Sequence, residues 1–227
     1  MPLAVWPFAT NSCTGIMMGL QSAFDSLLSS EDPLSQINAM IWQSLAAGAA
    51  SPKHPWHEGA FSTITVDPSG QVHPRTRTVI LRSVDLKRRT IDFFTDARSA
   101  KVDQLQHPSV AWLFYASASK IQLRLQGSAM VIGGEEADAA WEQTSLASRS
   151  AYLSMTHPGN PSDSLQPPDT SDRNVSLAVS ERGRVNFRIV QTTVETVDWL
   201  YLRRQGHVRA RLDYRNEERV HASWLVP

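Results

Sequence analysis

The sequence has very little cysteine and no excess of charge of either sign. Cys13 is the single cysteine, so the chain cannot form an internal disulfide. We therefore expect a reducing, cytoplasmic location. Lys plus Arg and Asp plus Glu number 22 each. A net charge of zero removes the electrostatic basis for general nucleic-acid binding, and it offers little repulsion between copies of the chain.

Long apolar runs are also missing. The first residues are apolar, but Pro2, Pro7 and Gly15 interrupt them, and they lack the length of a membrane span and the basic start of a signal peptide. We expect residues 1–18 to be a disordered tail, ahead of a single domain over 19–227 that does not enter a membrane. A stretch rich in Pro, Ser and Asp, residues 155–175, is expected to be a mobile loop within that domain.

The apolar pattern changes from helical to strand-like near residue 59. Between residues 19 and 50 apolar positions recur three and four apart, which predicts two helical segments that meet at Asp32-Pro33. Strands are predicted over 61–66, 77–83, 90–95, 110–115, 120–132, 186–190, 193–202, 208–214 and 220–225, and further helices over 99–106 and 135–153. Short connections favour a mainly β (α+β) fold, an antiparallel sheet or barrel with flanking helices.

Basic residues lie at both ends of one predicted strand and at the start of one short helix. Arg77 and Arg82 bracket an otherwise apolar strand, where arginines are more often solvated or ion-paired than functional. Arg98, Ser99 and Lys101 follow the next strand, where a helix begins. Hydroxyls, cations and free backbone N–H groups at such a point suit a phosphate, although simple helix capping explains them as well.

Polar and apolar residues alternate along the strand predicted over 120–132. Gln122, Arg124 and Gln126 share one face, and Leu123 and Leu125 share the other. The amide of Gln122 can both donate and accept hydrogen bonds, which suits a heterocyclic ring edge. The same alternation is found on any solvated strand.

These segments, in this order and spacing, resemble the pyridoxamine 5′-phosphate oxidase-like family of FMN-binding split barrels. The resemblance continues through residues 197–200, 207–212 and 224–227, and it covers residues 61–227. It implies an antiparallel FMN-binding split β-barrel with flanking helices and FMN as cofactor. It also implies a homodimer with FMN between the subunits, and an oxidoreductase that passes hydride from a small-molecule substrate to FMN.

The resemblance also assigns roles to individual residues. It places Arg77 and Lys101 at the FMN phosphate, with Ser99 and Arg98 beside them. It places the backbone of Thr78, Val79 and Ile80 along the flavin, and Arg82 towards the substrate. It places Phe94 and Thr95 beneath the cofactor and Gln122 at the ring edge, and Trp199 and Arg211 complete the site. His207 and Arg209 would face the substrate, with His207 suited to proton transfer near neutral pH.

The sequence departs from the family where the substrate is held. Arg82 stands where the family has lysine, and the family's Arg-x-His pair is reversed here as His207 and Arg209. On the helix predicted over 135–153, only Arg149 is a candidate for a substrate-binding side chain. FMN binding is therefore better supported than oxidation of a B6 vitamer.

Two other functions stay open, a non-catalytic FMN store or sensor and a phosphate- or nucleic-acid-binding barrel without flavin. We predict no metal site, because Pro55 and the short spacing between His54 and His57 do not give helical ligand geometry.

Overall fold

The computed structural model describes residue 24 and residues 26–162, 176–216 and 219–227. The expected tail over 1–18 and most of the expected loop over 155–175 lie outside these residues. Within them the fold is mainly β. The strands are β1 (Glu58–Val66), β2 (Val72–Ile80), β3 (Ser83–Asp85), β4 (Thr90–Asp96), β5 (Ser109–Ala116), β6 (Ile121–Ile132), β7 (Phe187–Tyr201), β8 (Val208–Asp213) and β9 (His221–Leu225).

The described helices are short except for the first. They are α1 (Pro33–Ala50), α2 (Ala100–Gln104), α3 (Gly134–Gln143), α4 (Leu146–Arg149) and α5 (Leu177–Ser180), with 3₁₀ turns over Ser150–Tyr152 and Glu181–Asn186. α1 begins where the sequence predicted, because the Asp32 side chain accepts a hydrogen bond from the Ser35 amide at 3.2 Å and Pro33 occupies the first turn. None of the helices in the described part is both long and apolar enough to cross a membrane.

All the strands pair antiparallel in one sheet. The order is β2-β1-β5-β6-β7-β4-β3, and β8 pairs with β7 and then with β9. In the described chain β2 and β3, the two ends of this path, are not paired with each other, so the sheet curls without closing. The predicted antiparallel sheet with flanking helices is confirmed.

Aromatic side chains fill the inner face of the sheet. Phe61 of β1, Phe93 of β4 and Trp112 of β5 pack with ring centroids 4.8 to 5.6 Å apart. α1 adds Ile37, Ile41 and Leu45, all fully buried. The long strands β6 and β7 shift register between Gln126 and Gly127. A Cβ on Gly127 would lie 1.9 Å from the Thr193 carbonyl oxygen, so only glycine fits at this bend.

Three segments differ from the sequence expectations. The helix predicted over 135–153 is broken after Gln143, because Ser145 is extended and caps α4 by accepting a hydrogen bond from the Ser148 amide. The two strands predicted over 186–202 are one continuous strand, β7, because it pairs with β4 and β6 along its length. β2 begins at Val72 and ends at Ile80, so Arg82 lies beyond the strand.

Candidate functional site

Two of the predicted basic residues lie near each other at the edge strand β2. Val79 and Leu81 are buried in the core, and Arg77 shares their side of β2. Arg77 lies opposite Phe61 of β1 in the strand register, and its guanidinium carbon is 5.9 Å from the centre of the Phe61 ring. Lys101 comes from α2, the short helix between β4 and β5. We call this group the cation cluster: Arg77, Lys101 and the side chains that hold them.

Neutral oxygen atoms hold the guanidinium of Arg77. Its Nη1 donates to the Thr63 hydroxyl at 2.7 Å and to the Arg75 carbonyl at 3.1 Å. Its Nη2 donates to Gln104 Oε1 at 2.5 Å. Burial, and then the positive charge of Arg75, lowers the pKa of Arg77. An arginine nevertheless stays protonated at neutral pH, so the cluster keeps this charge.

Hydroxyl groups hold the ammonium of Lys101. Its Nζ donates to the Ser99 hydroxyl at 2.6 Å and to the Thr95 hydroxyl at 3.1 Å, and both hydroxyls are buried. Burial lowers the pKa of Lys101, the charge of Arg77 lowers it further, and Asp96 acts in the opposite direction. The influence of Arg77 on this pKa means that the two cations act on one another.

Neither cation of the cluster forms an ion pair with a carboxylate among the described residues. Two partly buried positive charges side by side repel each other, and an anion between them removes that cost. A phosphate offers several acceptor oxygens and up to two negative charges, which suits one guanidinium and one ammonium. The chemistry of the cation cluster therefore suits a phosphate group.

Arg98 lies close to the cluster, but its charge is already balanced. It makes two hydrogen bonds with Asp96, Nε to Oδ1 at 2.9 Å and Nη2 to Oδ2 at 2.6 Å. Its Nη1 donates to the Ser154 carbonyl at 2.9 Å. Of the two basic residues predicted around α2, only Lys101 thus lacks a carboxylate partner in the part of the chain that the structure describes. Because α2 has five residues, side chains rather than a helix terminus supply the positive charge here.

Gln122 lies on the other face of the sheet. The core holds Ile121 and Leu123, so Gln122 points to the outer face, where the strand register places it between Tyr115 of β5 and Leu200 of β7. We use the term outer face for the side of β5, β6 and β7 that carries Tyr115, Gln122 and Leu200. In the sheet β1 and β5 separate β6 from β2. Gln122 and Arg77 therefore do not meet within one chain.

One carboxylate pairs with two arginines of the outer face. Asp198 accepts from Arg209 at 3.0 and 2.6 Å and from Arg124 at 2.5 Å. Partial burial alone raises the pKa of Asp198, but the hydrogen bonds and charges of the two arginines outweigh burial and lower it. Arg211 is opposite Asp198 in the β7–β8 register and is exposed.

The ring and backbone candidates fall into separate places. Thr78 is exposed on the edge strand β2. Arg82 lies with its guanidinium carbon 5.6 Å from the centre of the half-buried Phe94 ring, on the face of β4 opposite Thr95. Trp199 is fully buried in the core, on the face of β7 opposite Asp198 and Leu200. Its role as a ligand contact stays a prediction, and its ring has no exposed surface in this chain.

The two substrate-facing candidates have different surroundings. His207 lines a cavity of about 630 Å³ together with Phe24, Lys120 and Tyr201, and its Nδ1 accepts from the Arg203 amide at 3.3 Å. Arg209 instead lies on the outer face with Asp198. The weaker candidate Arg149 is buried, donates to Glu181 at 2.7 Å and also holds the Thr144 and Glu142 carbonyls. Arg149 therefore stabilises the fold around α3 and α4.

His54 and His57 form local contacts between α1 and β1. His57 Nδ1 lies 2.7 Å from the Gly48 carbonyl oxygen, and His54 Nδ1 accepts from the Trp56 amide at 3.1 Å. In the described ranges, no three His, Cys, Asp or Glu side chains form a metal-binding group.

Sequence reasoning missed three residues of these sites. Thr63 and Gln104 hold Arg77, and Asp198 joins Arg124 to Arg209. Strand alternation could have placed Thr63 on the inner face with Phe61. Nothing local could have joined Thr63 to Gln104, because 41 residues separate them.

The sequence matches a known family over its first strands. The family described as "Pyridoxamine 5'-phosphate oxidase, FMN-binding domain" matches residues 39–133. Pyridoxine/pyridoxamine 5'-phosphate oxidase 2 of Arabidopsis thaliana is 30% identical over 172 residues, which are 71% of this chain and 83% of the relative. The oxidase of Thermosynechococcus vestitus is 33% identical over 120 residues, and there the match spans 52% of each chain.

Solved structures show the same fold. A pyridoxamine 5'-phosphate oxidase-related, FMN binding protein of Nostoc punctiforme superposes with a TM-score of 0.61 at 22% identity, over 83% of this chain and 96% of that one. PhzG of Burkholderia lata, solved with tetrahydrophenazine-1-carboxylic acid, gives 0.60 at 19% identity, over 90% and 96%. The chain belongs to the pyridoxamine 5′-phosphate oxidase-like family of FMN-binding split-barrel proteins, and FMN is its cofactor.

Proposed function

We propose that this protein is an FMN-dependent oxidoreductase in which the cation cluster holds the FMN phosphate and the outer face of a second copy meets the flavin ring. The observation that carries the proposal is that Arg77 and Lys101 have no carboxylate partner within residues 26–162, 176–216 and 219–227. FMN differs from riboflavin by its phosphate. A site that stabilises a dianion between two unpaired cations suits that difference.

The geometry of the sheet supports a homodimer. Arg77 lies on the inner face at β2 and Gln122 on the outer face at β6, three strand steps away, which is roughly 14 Å at about 4.8 Å per step. One chain cannot turn both side chains towards one face of a flavin. The outer face also exposes Leu113 and Tyr115, at 41% and 45%, beside the polar residues around Asp198. Mixed apolar and polar surface of this kind suits an interface between copies.

The chain's own residues would bind and orient the cofactor. Bound FMN supplies the redox chemistry, taking hydride from a substrate and passing the electrons to an acceptor. Arg77 and Lys101 fix the phosphate end, and Gln122 can donate to and accept from the ring edge. Arg82 is exposed, and it forms no ion pair with a carboxylate among the described residues, so it is available to an anionic group of the substrate.

The substrate side is poorer in free charge than the cofactor side. Arg209 shares the carboxylate of Asp198 with Arg124, and Arg149 pairs with Glu181. This leaves Arg82 as the main candidate for an anionic group, and we propose a small substrate anchored at one such group. The B6 vitamers with a single phosphate, which the names of the relatives indicate, are the first compounds to test. The cytoplasmic location that we propose rests on the single cysteine.

Flavin titration tests the phosphate site. We expect the protein stripped of flavin to bind FMN at least a hundredfold more tightly than riboflavin, because a phosphate between two cations contributes about 3 kcal/mol or more. Flavin fluorescence follows both titrations. Equal affinity for the two flavins would overturn the phosphate assignment, and a failure to bind either would overturn the proposed cofactor site.

Anaerobic reduction separates an enzyme from an FMN store or sensor. We expect pyridoxamine 5′-phosphate or pyridoxine 5′-phosphate to bleach the flavin absorbance of the holoprotein, while the unphosphorylated vitamers act weakly. Arg82→Met should weaken reduction by the phosphorylated vitamers and leave FMN affinity unchanged. Bound FMN that no vitamer reduces would favour the storage or sensing function. A single-chain mass for the FMN-bound protein, from light scattering, would overturn the homodimer.

A further inference from the structure

We propose that Thr63 and Gln104 are positioning residues that hold Arg77 at the FMN phosphate with neutral contacts and so leave its charge available to FMN. The inference rests on the proposed phosphate site and deepens it, because it identifies what gives the protein its preference for a phosphorylated flavin.

The first step is the geometry of the three side chains. The Thr63 hydroxyl donates to Gln104 Oε1 at 2.6 Å and accepts from Arg77 Nη1 at 2.7 Å. Gln104 Oε1 also accepts from Arg77 Nη2 at 2.5 Å. Arginine can only donate, so the amide of Gln104 must present its oxygen and the hydroxyl hydrogen of Thr63 must point to it. The ring of contacts is closed, and it allows one orientation of each group.

The second step is burial. Thr63 is 2% exposed, so its hydroxyl has no access to bulk water as an alternative partner. A buried polar group is costly unless it is paired, and both of its partners are in this ring. Two of the five outer N–H directions of the guanidinium are thereby fixed, which reduces the freedom that Arg77 would otherwise lose when FMN binds.

The third step is the charge of the acceptors. Three other partly or fully buried arginines are held by carboxylates: Asp96 holds Arg98, Asp198 holds Arg209, and Glu181 holds Arg149. A carboxylate would hold Arg77 equally well, but it would cancel the charge that attracts a phosphate. A hydroxyl and an amide supply the hydrogen bonds without that cancellation.

The fourth step is the role of α2. Lys101 and Gln104 are three residues apart on this helix, so they lie on one face of it. Lys101 is one cation of the cluster, and Gln104 holds the other. α2 therefore sets the position of both positive charges, directly for Lys101 and through the amide for Arg77.

The test compares FMN with riboflavin in variants of the full chain. In Thr63→Val and Gln104→Leu, we expect the dissociation constant of FMN to rise roughly tenfold, while that of riboflavin changes by less than about twofold. Thr63→Ser keeps the hydroxyl and should keep most of the FMN affinity. Gln104→Glu keeps the shape and adds a carboxylate, so it should weaken FMN roughly a hundredfold. Thr76→Val is the control, because Thr76 lies on β2 but bonds to Ser62.

The outcomes separate this inference from the phosphate site itself. If Arg77→Met lowers the preference for FMN over riboflavin but Thr63→Val and Gln104→Leu do not, the positioning role is wrong and the phosphate site stands. If Arg77→Met also leaves the preference unchanged, the phosphate site is wrong. A merely structural role would weaken both flavins together, so a parallel loss in Gln104→Glu also overturns the inference. Retained riboflavin binding shows that each variant is folded.

Discussion

The cation cluster and the outer face both contain basic side chains, but the acceptors that hold these side chains differ in charge. On the outer face Arg124 and Arg209 share one carboxylate, Asp198. In the cation cluster Arg77 and Lys101 are held by hydroxyl, amide and carbonyl oxygens. The pKa shifts reflect this contrast. Hydrogen bonding to Asp198 raises the pKa of Arg209, whereas burial is the main cause that lowers the pKa values of Arg77 and Lys101.

The difference separates arginines that stabilise the fold from those that can bind a ligand. A cation with a carboxylate partner gains little from an incoming anion, because its charge is already balanced. A cation held by neutral oxygens keeps its attraction for an anion, but its charge lowers the stability of the protein when no anion is bound. The number of basic residues near a site is therefore a poor guide to its affinity for anions, and the identity of their acceptors is a better one.

Removing both charges of the cation cluster should have the largest effect. In the double variant Arg77→Met, Lys101→Met we expect FMN to bind roughly a thousandfold more weakly, a loss of about 4 kcal/mol, because two charge-assisted contacts are removed. Riboflavin affinity should stay within a few-fold of the original value. Flavin fluorescence titration measures both.

The control for the double variant is Arg75→Met, which removes a positive charge from an exposed position on the same strand. We expect a change in FMN affinity of a few-fold at most, since exposed charges are screened. A loss as large as that of the double variant would show that general attraction, not the cluster geometry, determines the affinity.

Removing a paired arginine should affect stability instead. Arg149→Met breaks the contact with Glu181 and three further interactions, with the Thr144 and Glu142 carbonyls and the Trp141 ring. We expect the free energy of unfolding in urea to fall by about 3 kcal/mol, with an unchanged preference for FMN over riboflavin. In Arg184→Met, which breaks a half-exposed pair with Asp138, the fall should be about 1 kcal/mol or less. Equal losses in both variants would contradict the assigned roles.

The carboxylate of the outer face should make a smaller, pH-dependent contribution. The folded-state pKa of Asp198 lies below its unfolded value, so its stabilisation is present above about pH 4 and is lost as the pH falls through the folded-state pKa. Asp198→Asn should lower the free energy of unfolding by about 1 kcal/mol at pH 7. The gap between the two proteins should shrink at pH 3. A gap of constant size in urea melts at both pH values would mean that the charge of Asp198 is not the cause.

The smallest expected effect is the alkaline pH dependence of FMN preference. The pKa of Lys101 is lowered, so its charge is lost as the pH rises through a value below the usual 10.5, and attraction for the phosphate is lost with it. The ratio of FMN affinity to riboflavin affinity should fall several-fold over this pH range. The ring ionisation is common to both flavins, so its effect cancels in this ratio. In Lys101→Met the ratio should be flat. A fall of the same size in this variant would assign the titration to another group.

Local sequence features predicted most of the fold. Alternation and turn residues gave the strands, and Asp32-Pro33 gave the start of α1. Two predictions, the single helix over 135–153 and the two separate strands over 186–202, were wrong for different reasons. Ser145 was a helix cap inside an apolar pattern that looked continuous, and β7 is held as one strand by two neighbours that the sequence does not identify.

The sequence by itself determined which residues could place a positive charge beside a phosphate. These are Arg77, at the end of a predicted strand, and Arg98 and Lys101, around a short helix. Only the tertiary structure decided which of these basic residues pair with a carboxylate, as Arg98 does with Asp96. Arg77 forms hydrogen bonds with Thr63 and Gln104, which are 14 and 27 residues away in the sequence, and Arg124 bonds with Asp198, which is 74 residues away. Partners at such distances are fixed by strand register and helix placement, and no local pattern contains that information.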